Sequence, residues 1–186
     1  MEWYKININD VTDAEFDAFF ALTDSKKRAR ISRYKHIRDR KLSVCAEMLA
    51  KKAIAEKFSV SPYDVELSAN DKGKPFCKNF DIELSLAHSG DYAVCAVSGA
   101  PVGIDIQKIV PYKQGTAVKV CSEAELEAIE KSGDRAAEFI KLWSKKEAEL
   151  KIHGTGVIRS IKDSLDGQRV ETLRFSDYFV SICEKL

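Results

Sequence analysis

Apolar and polar positions alternate over residues 3–8, the two-residue period of a half-buried strand. Thr12 or Asp13 then offers a cap for a helix running to Leu22, with Phe16, Phe19 and Phe20 on its apolar side. The longest apolar stripe spans about residues 39–58, where Leu42, Cys45, Leu49 and Ile54 recur at helical spacing. Ser61-Pro62 ends that helix. Strand-like text follows at 64–68, 82–87, 92–97 and 102–106, with turn chemistry at 70–75 and a tight His88-Ser89-Gly90-Asp91 connection. Beyond Pro111, Ser122 with Glu125 three residues later is a capping box for a helix to about Lys131. A second long helix is expected over about 135–153, with Gly154 as its stop. Residues 157–182 read as three strands, the first two joined by an Asp166-Gly167 hairpin turn.

The order repeats: a long helix and then three strands, twice. Ser89-Gly90-Asp91-Tyr92-Ala93-Val94 also echoes Phe175-Ser176-Asp177-Tyr178-Phe179-Val180. The pattern predicts an α+β fold of two similar α/β halves, residues 1–101 and 102–186, packed as an internal pseudo-dimer. Residues near 101–111 connect them, and a ligand site is expected in between. Such internal pairing favours a monomer.

At 186 residues and 45% hydrophobic, the chain can bury a core without disulfide staples. The cysteines, Cys45, Cys77, Cys95, Cys121 and Cys183, are odd in number and lack a C-x-x-C pair, so they read as reduced thiols of a cytoplasmic protein. His36, His88 and His153 lack zinc-ligand spacing. The first residues hold no signal-peptide core, and no run is long and apolar enough to span a membrane. A net charge of +1 argues against a non-specific nucleic-acid binder. The basic run over 26–41 carries no recognition-module signature.

Two segments carry chemistry. In Val102-Gly103-Ile104-Asp105-Ile106-Gln107, a strand points Asp105 and Gln107 to one face and the isoleucines to the other. Gly103 admits another backbone or a ligand. Alone, this segment is equally well an exposed edge strand. In the 135–153 helix, Phe139, Trp143, Glu147 and Lys151 form one stripe at four-residue spacing, running apolar, aromatic, acid, base. A carboxylate from a strand and another from a helix can share a hard cation, leaving positions for water and phosphate oxygens.

The pair Gly103-Ile104-Asp105-Ile106 and Trp143-Ser144-Lys145-Lys146-Glu147-Ala148, with Lys151, resembles the 4′-phosphopantetheinyl transferases of the surfactin-synthetase-activating type. Gly73-Lys74-Pro75-Phe76 and the strand end Leu84-Ser85-Leu86-Ala87-His88-Ser89 resemble further motifs of that family, as do Arg33-Tyr34 and the acid Glu125. The resemblance implies an Mg²⁺-dependent enzyme, with Mn²⁺ as a substitute. It would move the phosphopantetheine arm of coenzyme A to a serine of an apo acyl or peptidyl carrier protein, releasing 3′,5′-ADP. By the same resemblance Asp105 and Glu147 hold the metal, Gln107 reaches it through water, and Glu147, Lys151 and Asp105 are catalytic. Lys74 and His88 hold phosphates, Pro75 meets the adenine, and Lys26, Lys27, Arg30 and Lys41 are candidates for the 3′-phosphate.

Three positions depart from the family pattern. Gln107 stands where many relatives carry a second strand carboxylate, Ala87 where a serine precedes the histidine, and Leu42 where a basic residue is common. They motivate the alternative of a weakened relative that binds coenzyme A or a carrier without efficient transfer.

Overall fold

The computed structural model describes residues 1–153 and 170–185. The expected stop at Gly154, the first of the three late strands and the Asp166-Gly167 turn lie outside the described residues. Strand β1 (Glu2–Asn7) leads through a 3-10 turn into α1 (Asp13–Ala21). Thr12 caps α1: its Oγ1 accepts from the Glu15 N–H, and the Glu15 carboxylate accepts from the Thr12 N–H. Helix α2 (Ser25–Ile31), capped by Asp24, occupies the basic run, where only Ile31 is buried and no apolar period announces a helix. The first long helix, α3 (Ile37–Phe58), ends at Ser59 in the left-handed region, φ 53°.

The 64–68 strand expectation is shifted. Residues Pro62–Asp64 form a capped 3-10 turn, and β2 (Leu67–Ala69) starts after it, pairing with β3 (Pro75–Cys77) across the 70–74 turn. Next come β4 (Glu83–Ser89), β5 (Tyr92–Ser98) and β6 (Val102–Lys108). A short helix α4 (Gln114–Val120) precedes α5 (Glu123–Lys131), α6 (Arg135–His153), β7 (Val170–Phe175) and β8 (Tyr178–Glu184).

The fold is α+β. Two antiparallel sheets, ordered β1-β5-β4 and β6-β8-β7, each carry one long helix, α3 on the first and α6 on the second. The middle strands β5 and β8 are almost wholly buried, as expected of strands covered on both faces. The sheets meet along β4 and β6 without a main-chain ladder between them. Two serine hydroxyls replace it: Ser85 Oγ accepts from the Ile104 N–H at 3.1 Å and Ser89 Oγ from the Lys108 N–H at 3.0 Å. Around them Ala87, Val94 and Ala96 pack with Ile104, Val180 and Ile182 as one apolar cluster spanning both sheets.

Gly103 sets the second layer. A Cβ there would lie 1.9 Å from the Ala148 carbonyl oxygen and 3.1 Å from the Ile152 nitrogen. Helix α6 therefore rests backbone to backbone on β6. Of the two openings the sequence left at Gly103, the structure takes the neighbouring backbone.

Candidate active site

Asp105 lies at the middle of β6, opposite Ser181 of β8, and is only 3% exposed. The close approach of α6 carries Glu147 and Lys151, one turn apart, over this strand. Lys151 Nζ donates to Asp105 Oδ1 at 2.7 Å and to the Ile104 carbonyl at 3.1 Å. Gln107 Nε2 donates to Asp105 Oδ2 at 3.0 Å. Both oxygens of the carboxylate are thus met by nitrogen donors.

Desolvation pushes the Asp105 carboxyl above its ordinary 3.8, against the pull of the Lys151 ammonium and then the Gln107 amide. Glu147 is half-buried. Its carboxyl is lifted above 4.5, first by desolvation and then by the Asp105 charge, with Lys151 opposing. Two neighbouring carboxyl groups that are both costly to ionise are what a divalent cation relieves. Among the described residues, no group of three or more His, Cys, Asp or Glu is placed to hold a metal. This cluster offers two carboxylates and the amide of Gln107.

Along α6 the stripe continues as expected. Phe139 is buried and meets Trp143 edge to face at 5.5 Å. The two rings, with Ser89, Gln107 and Val110, line an open cleft of about 450 Å³. Gln107, which donates to Asp105, joins it to the acidic pair, and Lys108 and Lys113 also line it.

His88, next to last in β4, is exposed to solvent. Desolvation, then the Lys151 charge, push its imidazole below 6.5, while Asp39 of α3 and Asp105 pull it back up. Lys74 Nζ donates to the Ile152 carbonyl at 2.8 Å and lies 3.7 Å from Glu83, which ties the 70–75 turn to the end of α6. Pro75 follows it, half-buried at the start of β3.

The cations of the basic run, Lys26, Lys27 and Arg30 on α2 and Lys41 on α3, divide. Lys27 turns inward to an ion pair with Glu47 of α3, which is 4% exposed. Lys41 donates to the Val11 carbonyl and to Asp13, each at 3.2 Å. Lys26 and Arg30 are exposed. The structure thus binds Lys27 and Lys41 into the first half and leaves the other two open.

Three supporting groups escaped the sequence reading. Lys146, 0% exposed, donates to Glu125 at 2.7 Å and to the Val120 carbonyl at 3.1 Å, fixing the start of α5 beside Glu147. Its only signal was its place between the site's tryptophan and glutamate, which looks like ordinary helix surface. Arg38 of α3 donates to the Gly90 carbonyl at 3.1 Å and to Asp91 at 2.7 Å. From the other half, the Tyr178 hydroxyl accepts from the Asp91 N–H at 3.1 Å. Gly90, at φ +55°, passes under that ring, where a Cβ would come 2.2 Å from the hydroxyl. Nothing in the spacing of residues 38, 91 and 178 foretells this meeting.

Known proteins resemble the chain over most of its length. A model of the 4′-phosphopantetheinyl transferase N-terminal region matches residues 10–100, and one of the 4′-phosphopantetheinyl transferase superfamily matches residues 101–184. A 4′-phosphopantetheinyl transferase of Bacillus subtilis is 31% identical over 77% of this chain and 65% of its own length. The 4′-phosphopantetheinyl transferase psf-1 of Bacillus pumilus is 32% identical over 82% of this chain and 68% of its own. The 4′-phosphopantetheinyl transferase Sfp of Bacillus subtilis (strain 168) is 27% identical over 79% and 67%. The chain spans about two thirds of the length of these relatives. With both family models accounting for nearly all of it, the chain belongs to the 4′-phosphopantetheinyl transferase superfamily and is of the Sfp-like type.

Proposed function

We propose that this chain transfers the phosphopantetheine arm of coenzyme A to a serine of an apo acyl or peptidyl carrier protein, with Mg²⁺ or Mn²⁺ bound and 3′,5′-ADP released. The supporting observation is that Asp105, from a strand, and Glu147 and Lys151, from a helix, come within bonding or electrostatic reach of one another. The donor set fits a hard cation: carboxylate oxygens from two elements, each costly to ionise. When bound, such a cation neutralises the diphosphate oxygens as charge builds on the leaving group.

The chain's own residues supply the rest. Glu147, its carboxyl held above the ordinary value, is suited to take the proton from the attacking serine hydroxyl. The serine oxygen forms a bond to the β-phosphorus. The bond from that phosphorus to the bridging oxygen breaks, and 3′,5′-ADP departs with the electron pair. Lys151 meets the diphosphate as that charge develops. Lys74, Pro75 and His88 hold the nucleotide end, with Lys26 and Arg30 presenting open cations to the 3′-phosphate. Lys27 and Lys41 serve there by shaping α2 and the start of α3. The halves 1–101 and 102–186 flank the site, the protein acts in the cytoplasm as a monomer, and neither nucleic acid nor membrane is a partner. Among the described residues, no helix is long and apolar enough to cross a membrane.

Intact-mass measurement of apo carriers incubated with the protein, coenzyme A and Mg²⁺ tests this. The carrier gains a phosphopantetheine with the wild type and none with Asp105→Ala or Glu147→Ala. A second reading, a relative that binds without efficient transfer, draws support from Gln107, whose amide occupies Asp105 where a further carboxylate is common. Coenzyme A binding with no mass gain on any carrier of a varied panel would select it.

A further inference from the structure

Asp105 is fully satisfied within the protein. Lys151 takes one oxygen and the Gln107 amide the other. The Lys151 ammonium also sits on the Ile104 carbonyl, so it holds a carboxylate and a carbonyl together, the oxygen pair a hard cation would seek. Asp105 is 4% exposed at its side chain, whereas Lys151 is 29% exposed. The lysine can therefore swing out on its own stem without disturbing α6, while Asp105 stays fixed in β6. Gln107 adds no negative charge. An approaching cation thus finds Asp105 engaged and no second strand carboxylate to hold it meanwhile.

We propose that Lys151 is the resting counter-cation of Asp105 and yields that carboxylate only when a diphosphate arrives to receive the lysine, so that divalent cation and diphosphate bind as a coupled pair. The inference rests on the transfer reading of the site and adds an order of events to it. A cation arriving alone must displace a charge-assisted hydrogen bond and leave an ammonium stranded beside it. With a diphosphate present, Lys151 exchanges one anionic partner for another, and Asp105 is released. Gln107 makes the coupling strong, because a glutamate there would give a lone cation a further carboxylate besides Glu147.

The test uses the full chain, with Mn²⁺ as the probe and free Mn²⁺ read by electron paramagnetic resonance. The wild type binds Mn²⁺ weakly alone and at least about tenfold more tightly with coenzyme A present. Lys151→Met tightens binding of Mn²⁺ alone by about tenfold, the equivalent of one charge-assisted hydrogen bond no longer broken. Lys108→Met removes the same charge from β6 without a bond to Asp105 and leaves that affinity unchanged. Lys151→Gln serves if the methionine variant does not fold, circular dichroism being the check. Equal Mn²⁺ affinity for wild type and Lys151 variants overturns the proposal, as does an equal gain in Lys108→Met. Asp105→Asn separates the two levels. If it abolishes Mn²⁺ binding in the presence of coenzyme A, the metal-site reading stands whatever the lysine variants show. If it leaves Mn²⁺ binding intact, the reading and the proposal fall together.

Discussion

At the scale of single residues, the site is a place where function opposes stability. Asp105 and Glu147 both have carboxyl groups raised above their ordinary values, chiefly by desolvation. The folded protein therefore binds their protons more tightly than the unfolded chain does. Stability on this account is fully present below the ordinary carboxylate range and is lost as pH rises through the raised values. Without metal, Glu147→Gln removes the part of that loss due to Glu147. Its melting temperature should exceed the wild type's at about pH 8 and match it under acid conditions where both side chains are neutral. In the proposed mechanism the same substitution deprives the serine of its proton acceptor, so kcat should fall about a hundredfold or more. Thermal melts across pH, set beside carrier-loading rates, check both halves of this expectation. Ser85 presents a contrasting case. Its hydroxyl is 3% exposed by residue and accepts from the Ile104 N–H, which belongs to the strand that carries Asp105. Ser85→Ala leaves that buried donor without its acceptor and should destabilise the protein by about 1–3 kcal/mol in urea unfolding.

At the scale of elements, one glycine decides how close α6 lies. A methyl group at residue 103 would press on the Ala148 carbonyl, which is backbone and cannot rotate away. Gly103→Ala must lift α6 from β6, and with it Glu147 and Lys151. We expect a loss of about 3 kcal/mol from overpacking, and activity that falls further than the residual folded fraction explains. Urea unfolding monitored beside specific activity measures the two effects separately. The elements also differ in how plainly the sequence announced them. α3, α5 and α6 were legible because a helical apolar period, good helix formers and, at Ser122, a capping box all agree. α2 was not, since four of the seven residues in Ser25–Ile31 are cationic and only one side chain is buried. α4 was hidden for a different reason: it has only seven residues, carries Gly115 and β-branched residues, and is held by burying Ala117 and Val120. β3 is three residues long and begins with Pro75, so pairing with β2 makes it a strand where its composition does not. In the site, the family motif pointed to Asp105, Glu147 and Lys151. The Lys151 and Gln107 bonds to Asp105 were invisible, because they depend on how closely α6 meets β6.

At the scale of the whole molecule, the two sheets must keep a fixed relation for a site drawn from both to work. The β4–β6 seam supplies apolar packing and two serine bonds. A second tie closes the end where His88 lies. There the Gly90-Asp91 turn is gripped by Arg38 from α3 and by Tyr178 from β8. The Arg38–Asp91 pair is largely exposed, at 51% and 27%, so it should add little stability and weaken with salt. Tyr178 is different: it is 2% exposed, its ring meets Tyr92 at 5.0 Å and Phe175 at 5.6 Å, and its hydroxyl receives the turn's own N–H. Tyr178→Phe keeps those ring contacts and deletes the hydroxyl, which accepts from the Asp91 N–H at 3.1 Å and donates a longer, weaker bond to the Asp91 carboxylate at 3.4 Å. The lost bond is worth about 1 kcal/mol, which for a chain of this size lowers the melting temperature by about 2–4 °C. A purely structural bond would do no more than that. A bond that also holds the strand end beside the coenzyme should raise the KM for coenzyme A several-fold at unchanged kcat, because His88 and Ser89 immediately precede the freed turn. Steady-state kinetics with coenzyme A as the varied substrate decides it: an unchanged KM in a protein melting lower would confine Tyr178 to holding the two halves together.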